Sequence, residues 1–330
     1  MRAAVLLKPS TVEIQELPAP RPGTGEVLIE PIRAGICGSD VSLYKGHRPA
    51  AYPLVLGHEF VGRVVGGADD VATLRVGQRV VVEPNYFCGT CRFCRAGRGS
   101  ICPHKQSMGV TRAGCFADCV AAPAEFVWPL PDAISDPDAA TIEPLAVSLH
   151  ALLQAGATAG DTVAVVGCGA IGLLLVHAAV RHGIRVLAHD RLEGKLESAR
   201  RLGAVTEAGE NWKHLWDSEN VGTVFECGGV AATVELSIRN APRGSRVVLL
   251  GLATSPASFV PLSLVRDGIS IEPSLIYDHP ADFARSIALV AGGTLQPSIV
   301  VSDTFPFDSI GRALELASNG EAGKIHTLIR

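Results

Sequence analysis

Two kinds of hydrophobic patterning follow each other along the chain. Up to about residue 147, short β-branched runs alternate with polar positions between glycines and prolines, as in EVLIEPIRAGIC and GQRVVVEP. A period of two between turn residues is typical of half-buried antiparallel strands. We therefore expect residues 1–147 to form an irregular, mostly β domain.

From about residue 148 the pattern becomes one of strands alternating with helices. DTVAVVGCGAIGLLLVHAAVRHGIRVLAHD predicts a strand, a tight turn, an apolar helix and a second strand. KLESARRLGA, GTVFECGG, AATVELSIRNA and SRVVLLG continue as helix, strand, helix and strand. This alternation favours a parallel, doubly wound Rossmann domain over residues 148–280. Residues 281–330 predict helices and a final strand that returns to the first domain, so the expected fold class is α/β.

Composition and charge narrow the classes of partner. The 330 residues carry a net charge of −4 without any basic run, so a nucleic-acid partner is not expected. No stretch approaches the ~20 apolar residues of a membrane span, and the first residues do not resemble a signal peptide. We expect a cytoplasmic protein that acts on a small molecule and has no membrane partner.

A glycine turn, GCGAIG, lies between the first predicted Rossmann strand and its helix. Glycine permits the tight turn and the close approach of a pyrophosphate, which then lies at the helix N-terminus. The turn alone is weak evidence, but the strand before it and the helix after it are where dinucleotide binding needs them. The cofactor contacts expected here are Gly167, Gly169, Ala170, Ile171 and Gly172.

Asp190 ends the next predicted strand and is placed to accept the ribose hydroxyls of the cofactor. Its carboxylate would repel a 2′-phosphate, so NAD is the expected cofactor. NADP stays the alternative, because Arg191 follows directly and could tolerate a phosphate. Gly251, at the end of SRVVLLG, is a further candidate for a cofactor contact.

Four of the nine cysteines fall in one short loop with the spacing C-x2-C-x2-C-x7-C, namely Cys88, Cys91, Cys94 and Cys102. Four thiolates can close a tetrahedral shell around zinc and leave no position for water, which is typical of a structural site. An iron–sulfur cluster is the alternative. Disulfides would need an oxidising compartment, for which the sequence gives no sign.

A second set of metal-ligand types is offered by Cys37, His58 and Glu59. One thiolate, one imidazole and one carboxylate, with a fourth position open, make a catalytic zinc shell. Taken alone, Cys37 could equally be a core residue and His58 a hydrogen-bonded surface histidine.

The motifs AGICGSD, LGHEFVGRV, the four-cysteine loop and VVGCGAIGLLLVHAA occur in this order, and together they resemble the zinc-dependent medium-chain dehydrogenase/reductase family. EPLAVSLHA, which starts at Glu143, is similar to the polyol and threonine dehydrogenase branch. The resemblance covers essentially the whole chain. It implies a GroES-like catalytic domain, formed by both termini, in addition to the Rossmann domain.

The resemblance also implies roles for individual residues. It makes Cys37, His58 and Glu59 ligands of a catalytic zinc, and Glu143 either an exchanging ligand or the partner of the zinc-bound water. The four-cysteine loop would hold a structural zinc, which gives two Zn²⁺ per chain. Ser39 matches the hydroxyl that passes the alcohol proton onward, and Lys195 matches a basic position near the adenosine ribose.

The reaction implied is hydride transfer between a secondary alcohol, such as a polyol, cyclitol or amino alcohol, and NAD. Leu43 and Ile276 stand where sorbitol dehydrogenases carry polar groups, which puts an open-chain polyol in doubt, and part of the sequence is similar to aminocyclitol dehydrogenases. A threonine or sugar-phosphate dehydrogenase and a catalytically silent NAD-binding protein are the alternatives. The resemblance further implies a homodimer or homotetramer.

Overall fold

The computed structural model describes residues 1–67, 71, 73–206 and 212–330. The strands in this part of the chain are β1 Arg2–Lys8, β2 Thr11–Glu16, β3 Glu26–Gly35, β4 Leu54–Val55, β5 Glu59–Gly67, β6 Arg79–Val82, β7 Asn85–Tyr86, β8 Gln106–Ser107, β9 Val120–Pro123, β10 Val127–Pro129, β11 Thr162–Val166, β12 Arg185–His189, β13 Val221–Glu226, β14 Arg246–Leu249, β15 Ser270–Pro273, β16 Val301–Pro306 and β17 Lys324–Leu328. The α-helices are α1 Gly38–Tyr44, α2 Arg92–Arg95, α3 Asp136–Ala139, α4 Ile142–Gln154, α5 Ala170–Arg181, α6 Glu193–Arg201, α7 Trp212–Ser218, α8 Ala231–Asn240, α9 Pro261–Asp267, α10 Ala281–Ala291 and α11 Ile310–Asn319. Short 3₁₀ helices cover Gly99–Ile101, Ala124–Phe126, Pro297–Val300 and Phe307–Ser309.

The chain divides into two compact units. Unit 1 comprises Met1–Glu143 with Asp278–Arg330, and unit 2 comprises Pro144–Tyr277. The sequence predicts domain boundaries after residues 147 and 280, and these boundaries stay a prediction. No helix in the described part of the chain has the length and the apolar character needed to cross a membrane.

Unit 1 is built on a seven-stranded sheet in the order β10-β6-β5-β3-β17-β16, with β9 also paired to β3, and on a three-stranded sheet in the order β2-β1-β4. The last strand, β17, pairs antiparallel with β3, so the end of the chain lies in the same sheet as strands of its first part. Gly35 on β3 is opposite both Glu59 on β5 and His326 on β17. The end of β3, the start of β5 and strand β17 therefore meet at one place in the sheet.

Unit 2 is a five-stranded sheet in the order β12-β11-β13-β14-β15, and every neighbouring pair in it is parallel. Helices separate the successive strands along the chain, which confirms the predicted doubly wound sheet. Its core contains aliphatic residues of β11, β13 and β14 together with Trp212 and Trp216 of α7. The order of strands reverses between β11 and β13, and ligands of such sheets bind beyond the carboxyl ends of the strands at that switch point.

Candidate active site

The four cysteines of the loop converge in unit 1. The Sγ–Sγ distances are 3.4 Å for Cys91–Cys94, 3.6 Å for Cys88–Cys102, 3.8 Å for Cys91–Cys102 and 4.0 Å for Cys88–Cys94. A tetrahedron of Zn–S bonds of about 2.3 Å has edges of about 3.8 Å. The four sulfurs therefore fit a closed zinc site.

The electrostatics of the loop agree with this fit. The hydroxyl and amide of Thr90 donate to the sulfur of Cys88 and lower the pKa of Cys88 to about 5. Desolvation and the neighbouring sulfurs raise the pKa of Cys94 to about 12. Four sulfurs in contact repel one another as thiolates unless a cation neutralises them, so the loop has the donor set and the need for a metal ion.

Cys37, His58 and Glu59 form the second group, with ligand atoms within 4.8 Å of one another. Cys37 precedes α1, whereas His58 directly precedes β5 and Glu59 begins it, so the pairing of β3 with β5 brings the three together. His58 and Glu59 are buried and Cys37 is half-buried. A thiolate, an imidazole and a carboxylate in contact away from solvent fit a zinc ion that keeps one position open.

Asp40 is a functional residue that the sequence reasoning missed. Its fully buried carboxylate accepts hydrogen bonds from the backbone amides of Cys37 (2.9 Å) and Gly57 (3.0 Å) and lies 3.6 Å from Nδ1 of His58. Burial opposes the charged imidazole, but the negative charges of Asp40 and Cys37 outweigh it and raise the pKa of His58 well above its ordinary value. Asp40 thus fixes the backbone at Cys37 and places a negative charge beside the imidazole of His58, the position in which carboxylates support metal-bound histidines.

Lys324 is a second residue at this site that the sequence did not predict. Its ammonium forms an ion pair with Oε2 of Glu59 and donates to the carbonyl of Ile36 (2.9 Å), although the side chain is almost fully buried. A Cβ at Gly35 would lie 2.5 Å from Oε2 of Glu59 and 2.8 Å from Cε of Lys324. Glycine at this position therefore makes room for the buried pair.

The structure places the remaining predicted catalytic residues as follows. Oγ of Ser39 lies 3.4 Å from Nε2 of His58, next to the candidate metal position. Glu143 is buried in the first turn of α4. It is outside the group of ligand atoms within 4.8 Å, but its charge contributes to raising the pKa of Lys324, so it lies near this site.

The glycine turn in unit 2 has the geometry of a phosphate cradle. Gly167 has φ of +97°, and a Cβ there would lie 2.6 Å from the amide nitrogen of Gly228. A Cβ at Gly172 would lie 1.9 Å from the carbonyl oxygen of Gly167. Gly169 precedes α5 and has open space around it, and Ala170 and Ile171 form the first turn of that helix. The space above this helix start suits a pyrophosphate.

Asp190 has a structural part in the same turn. Its Oδ2 accepts from the amide of Cys168 (2.8 Å) in the glycine turn, and its Oδ1 accepts from the amide of Leu192 (3.0 Å). Lys195 lies near enough to lower the pKa of Cys168, although desolvation raises that pKa overall, to about 12. Arg191 is exposed, and Gly251 follows β14.

Two family models match the chain. One describes the alcohol dehydrogenase GroES-like domain and matches residues 23–132, and the other describes a zinc-binding dehydrogenase and matches residues 170–292. Both expected domains, GroES-like and Rossmann, are thereby confirmed.

Three curated relatives illustrate the similarity along the whole chain. The starvation-sensing protein RspB of Escherichia coli is 31% identical over 96% of this chain and 95% of its own. A sorbitol dehydrogenase of Bacillus subtilis is 30% identical over 96% and 93%. An L-threonine 3-dehydrogenase of Bacillus licheniformis is 32% identical over 98% and 97%.

Solved structures agree with this relationship. The rspB alcohol dehydrogenase of E. coli in complex with NADH has a TM-score of 0.92 and 28% identity, covering 99% of both chains. A zinc-binding dehydrogenase of Sinorhizobium meliloti bound to NADP also has a TM-score of 0.92, with 29% identity over 99% of this chain and 98% of that one.

Proposed function

The chain belongs to the zinc-dependent medium-chain dehydrogenase family, and on that premise we propose that it transfers hydride between a secondary alcohol and NAD. The enzyme class, an NAD(P)-dependent dehydrogenase acting on a CH–OH group, follows from the family. The observation that carries the proposal is the group of Cys37, His58 and Glu59 in unit 1, with the hydroxyl of Ser39 3.4 Å from Nε2 of His58.

We assign the metal ligands accordingly. Cys37, His58 and Glu59 would hold the catalytic zinc, and the four cysteines of the loop the structural one. When bound, zinc supplies Lewis acidity toward an alcohol or ketone oxygen, and the nicotinamide supplies the hydride acceptor.

The protein's own groups manage charge and protons around that oxygen. Ser39, beside His58, would accept the alcohol proton and pass it on. Asp40 holds the backbone of Cys37 and the imidazole of His58 in place. Lys324 neutralises the Oε2 side of Glu59, and Glu143 would exchange with it or hydrogen-bond the substrate oxygen.

The substrate class proposed is a cyclitol, polyol or amino alcohol. Leu43 is fully buried in the hydrophobic core of unit 1, so it adds no polar group for a substrate. This supports a ring alcohol or an amino alcohol over an open-chain polyol. Among the relatives, the threonine dehydrogenase supports an amino alcohol, whereas the sorbitol dehydrogenase keeps a polyol in the proposed range.

We propose NAD rather than NADP as the physiological cofactor, because the carboxylate of Asp190 is fixed by two backbone amides at the end of β12. Gly167, Gly169, Ala170, Ile171 and Gly172 would contact the pyrophosphate, and Arg191, Lys195 and Gly251 would complete the cofactor site.

We also propose that the protein is a homo-oligomer that assembles through unit 2. Residues that follow β14 expose large apolar side chains, namely Leu252, Val260, Leu262 and Val265, the last with 81% of its surface exposed. Large exposed apolar side chains are often found at subunit contacts. The proposed location is the cytoplasm, where a four-thiolate metal loop stays reduced.

The test is NADH formation by the zinc-loaded protein, with NAD and NADP in parallel. The panel contains sorbitol, xylitol, myo- and scyllo-inositol, deoxy-scyllo-inosamine, threonine and simple secondary alcohols. Ser39→Ala is the matched control, since it leaves the three metal ligands intact. A rate on one class that falls strongly in the control supports the proposal. NADH binding without turnover on any member would contradict it and favour a non-catalytic NAD-binding protein.

A further inference from the structure

Glu226 stands at the switch point of the parallel sheet in unit 2. It is the last residue of β13, and its pairing partner on β11 is Val166, the residue before the glycine turn. The carboxyl ends of β11 and β13 are where ligands of doubly wound sheets bind. Its carboxylate is fully buried and belongs to neither candidate metal site.

The side chain of Glu226 ties down the turn that follows it. Its Oε1 accepts from the amide of Gly229 (2.8 Å) and from the hydroxyl of Thr233 (2.6 Å) on α8, which also lies within hydrogen-bond distance of the carbonyl of Val230 (2.8 Å). Its main-chain oxygen accepts from the amides of Leu250 (2.9 Å) and Gly251 (3.0 Å) beyond β14. One residue therefore holds two successive turns at this edge of the sheet.

These turns are in direct backbone contact with the glycine turn. A Cβ at Gly167 would lie 2.6 Å from the amide nitrogen of Gly228, and a Cβ at Gly251 would lie 2.3 Å from the amide nitrogen of Gly229. The turns after β11, β13 and β14 thus pack on one another without intervening side chains. A shift of residues 227–230 must move both neighbours, because close-packed backbone leaves no room for independent adjustment.

We propose that Glu226, held by Thr233, is a positioning residue that presets the three cofactor-binding turns for NAD. The inference rests on the proposed function, since it concerns the affinity for NAD. Hydrogen bonds to a buried charged acceptor are stronger than neutral ones, so this link keeps the middle turn rigid. In a preset site the turns need not be ordered when NAD binds, so the affinity for NAD is higher.

The second carboxylate oxygen of Glu226 makes the hydrogen bond from Thr233 more important. Oε2 of Glu226 is buried without a hydrogen-bond partner and faces Gly251, where a Cβ would lie 2.5 Å from it. A buried carboxylate with one bare oxygen gains more from each donor that it has, so loss of the Thr233 hydroxyl leaves it poorly satisfied. The turn then shifts toward new donors and takes its two neighbouring turns with it.

The experiment compares Thr233→Val, which removes the hydroxyl but keeps the shape, with Thr233→Ser, which keeps the hydroxyl. Glu235→Gln is the control, because Glu235 lies on the same helix and accepts from the exposed amide of Ser258 (2.9 Å), away from Glu226. The Kd for NADH is measured by quenching of tryptophan fluorescence, and unfolding temperatures, kcat and KM for NAD are measured on the same samples.

We expect the Kd for NADH and the KM for NAD to rise about tenfold in Thr233→Val, which corresponds to loss of one charge-assisted hydrogen bond, with kcat at saturating NAD retained. Thr233→Ser and Glu235→Gln should bind NADH as the wild type does. If Thr233→Val does not fold, Glu226→Gln takes its place as the test variant. We expect the same rise of the Kd for NADH and of the KM for NAD in it.

An unchanged Kd in Thr233→Val with a lowered unfolding temperature would overturn the inference, because Glu226 would then only stabilise the fold. Equal weakening in Thr233→Val and Glu235→Gln would overturn it as well. Wild-type protein that binds neither NADH nor NADPH would overturn the proposed function itself, which is a distinguishable result.

Discussion

The ammonium of Lys324 forms an ion pair with the carboxylate of Glu59, and both side chains are almost fully buried. Burial lowers the pKa of Lys324, but the negative charges of Glu59, Cys37 and Glu143, together with the hydrogen bond to Glu59, outweigh this and raise it. The pair lies beside Cys37 and His58, so the candidate metal site includes a fixed positive charge. That charge balances a candidate ligand set with two negative members.

Replacing Lys324 with methionine should strongly destabilise the protein. In metal-free protein, Lys324→Met leaves the buried carboxylate of Glu59 without a cation, and breaking a buried pair in this way costs about 3–5 kcal/mol. The free energy of unfolding is measured by urea denaturation. Lys213→Met is the control, because it breaks an exposed pair with Asp217 (3.8 Å) and should change stability by less than about 0.5 kcal/mol. Similar small effects in both variants would contradict the importance of the buried pair.

The sequence predicted the features that are local along the chain. The spacing of four cysteines, the glycine turn between a strand and a helix, and the alternation of strands with helices each lie within a few tens of residues. Their chemistry depends on neighbours in sequence, so the pattern and the structure coincide. The cysteine sulfurs indeed converge, and Gly167 has the positive φ that only glycine adopts without strain.

Other parts of the site depend on contacts between distant segments and left no signal in the sequence. Lys324 donates to Ile36, 288 residues earlier, because β17 returns to pair with β3. From the sequence alone, Lys324 is a lysine at the start of a strand, and a lysine at such a position is expected to be exposed. Asp40 looks like an ordinary residue of a short helix, and its role appears only when β5 brings Gly57 and His58 against it.

The four-cysteine loop should lose its metal when a single sulfur is removed. We expect Cys94→Ser to contain one zinc per chain instead of two and to unfold at a lower temperature, since metal binding provides folding free energy to a loop with little core. Metal content is measured by atomic emission after desalting. Cys119→Ser is the control, because Cys119 is half-buried outside both candidate sites, and it should keep both ions. Iron in the wild-type protein would favour a cluster instead.

Asp190 should set the preference for NAD over NADP. Asp190→Asn removes the negative charge that opposes a 2′-phosphate, while the amide oxygen can still accept from Cys168 or Leu192. We expect the ratio of kcat/KM for NAD to that for NADP to fall by about tenfold or more. Glu193→Gln removes the same charge from an exposed neighbour on α6 and should leave the ratio unchanged. A preserved ratio in Asp190→Asn would place cofactor selection elsewhere.

A buried polar network away from both candidate metal sites should make the stability of unit 1 depend on pH. Glu83 is almost fully buried, and its Oε1 accepts from Nε1 of Trp128 (2.8 Å) while its Oε2 lies 2.9 Å from Nδ1 of His279. The hydrogen bond to Glu83 raises the pKa of His279 above its ordinary value of 6.5, with a further contribution from the charge of Glu125. The charged imidazole therefore stabilises the folded state.

The sign of the pH dependence follows from the direction of that shift. Because the pKa of His279 is higher in the folded than in the unfolded state, its stabilisation is complete below about pH 6.5 and is lost as the pH rises through the folded-state value. His279→Gln keeps a neutral donor for Glu83 and should lack this dependence. We expect the free energy of unfolding of the wild type to exceed that of the variant by about 1 kcal/mol at low pH, as for a charge-assisted hydrogen bond, and the difference to vanish at high pH. Urea denaturation of both proteins between about pH 6 and 9 measures it, and a difference that grows with pH would show that His279 is neutral in the folded protein.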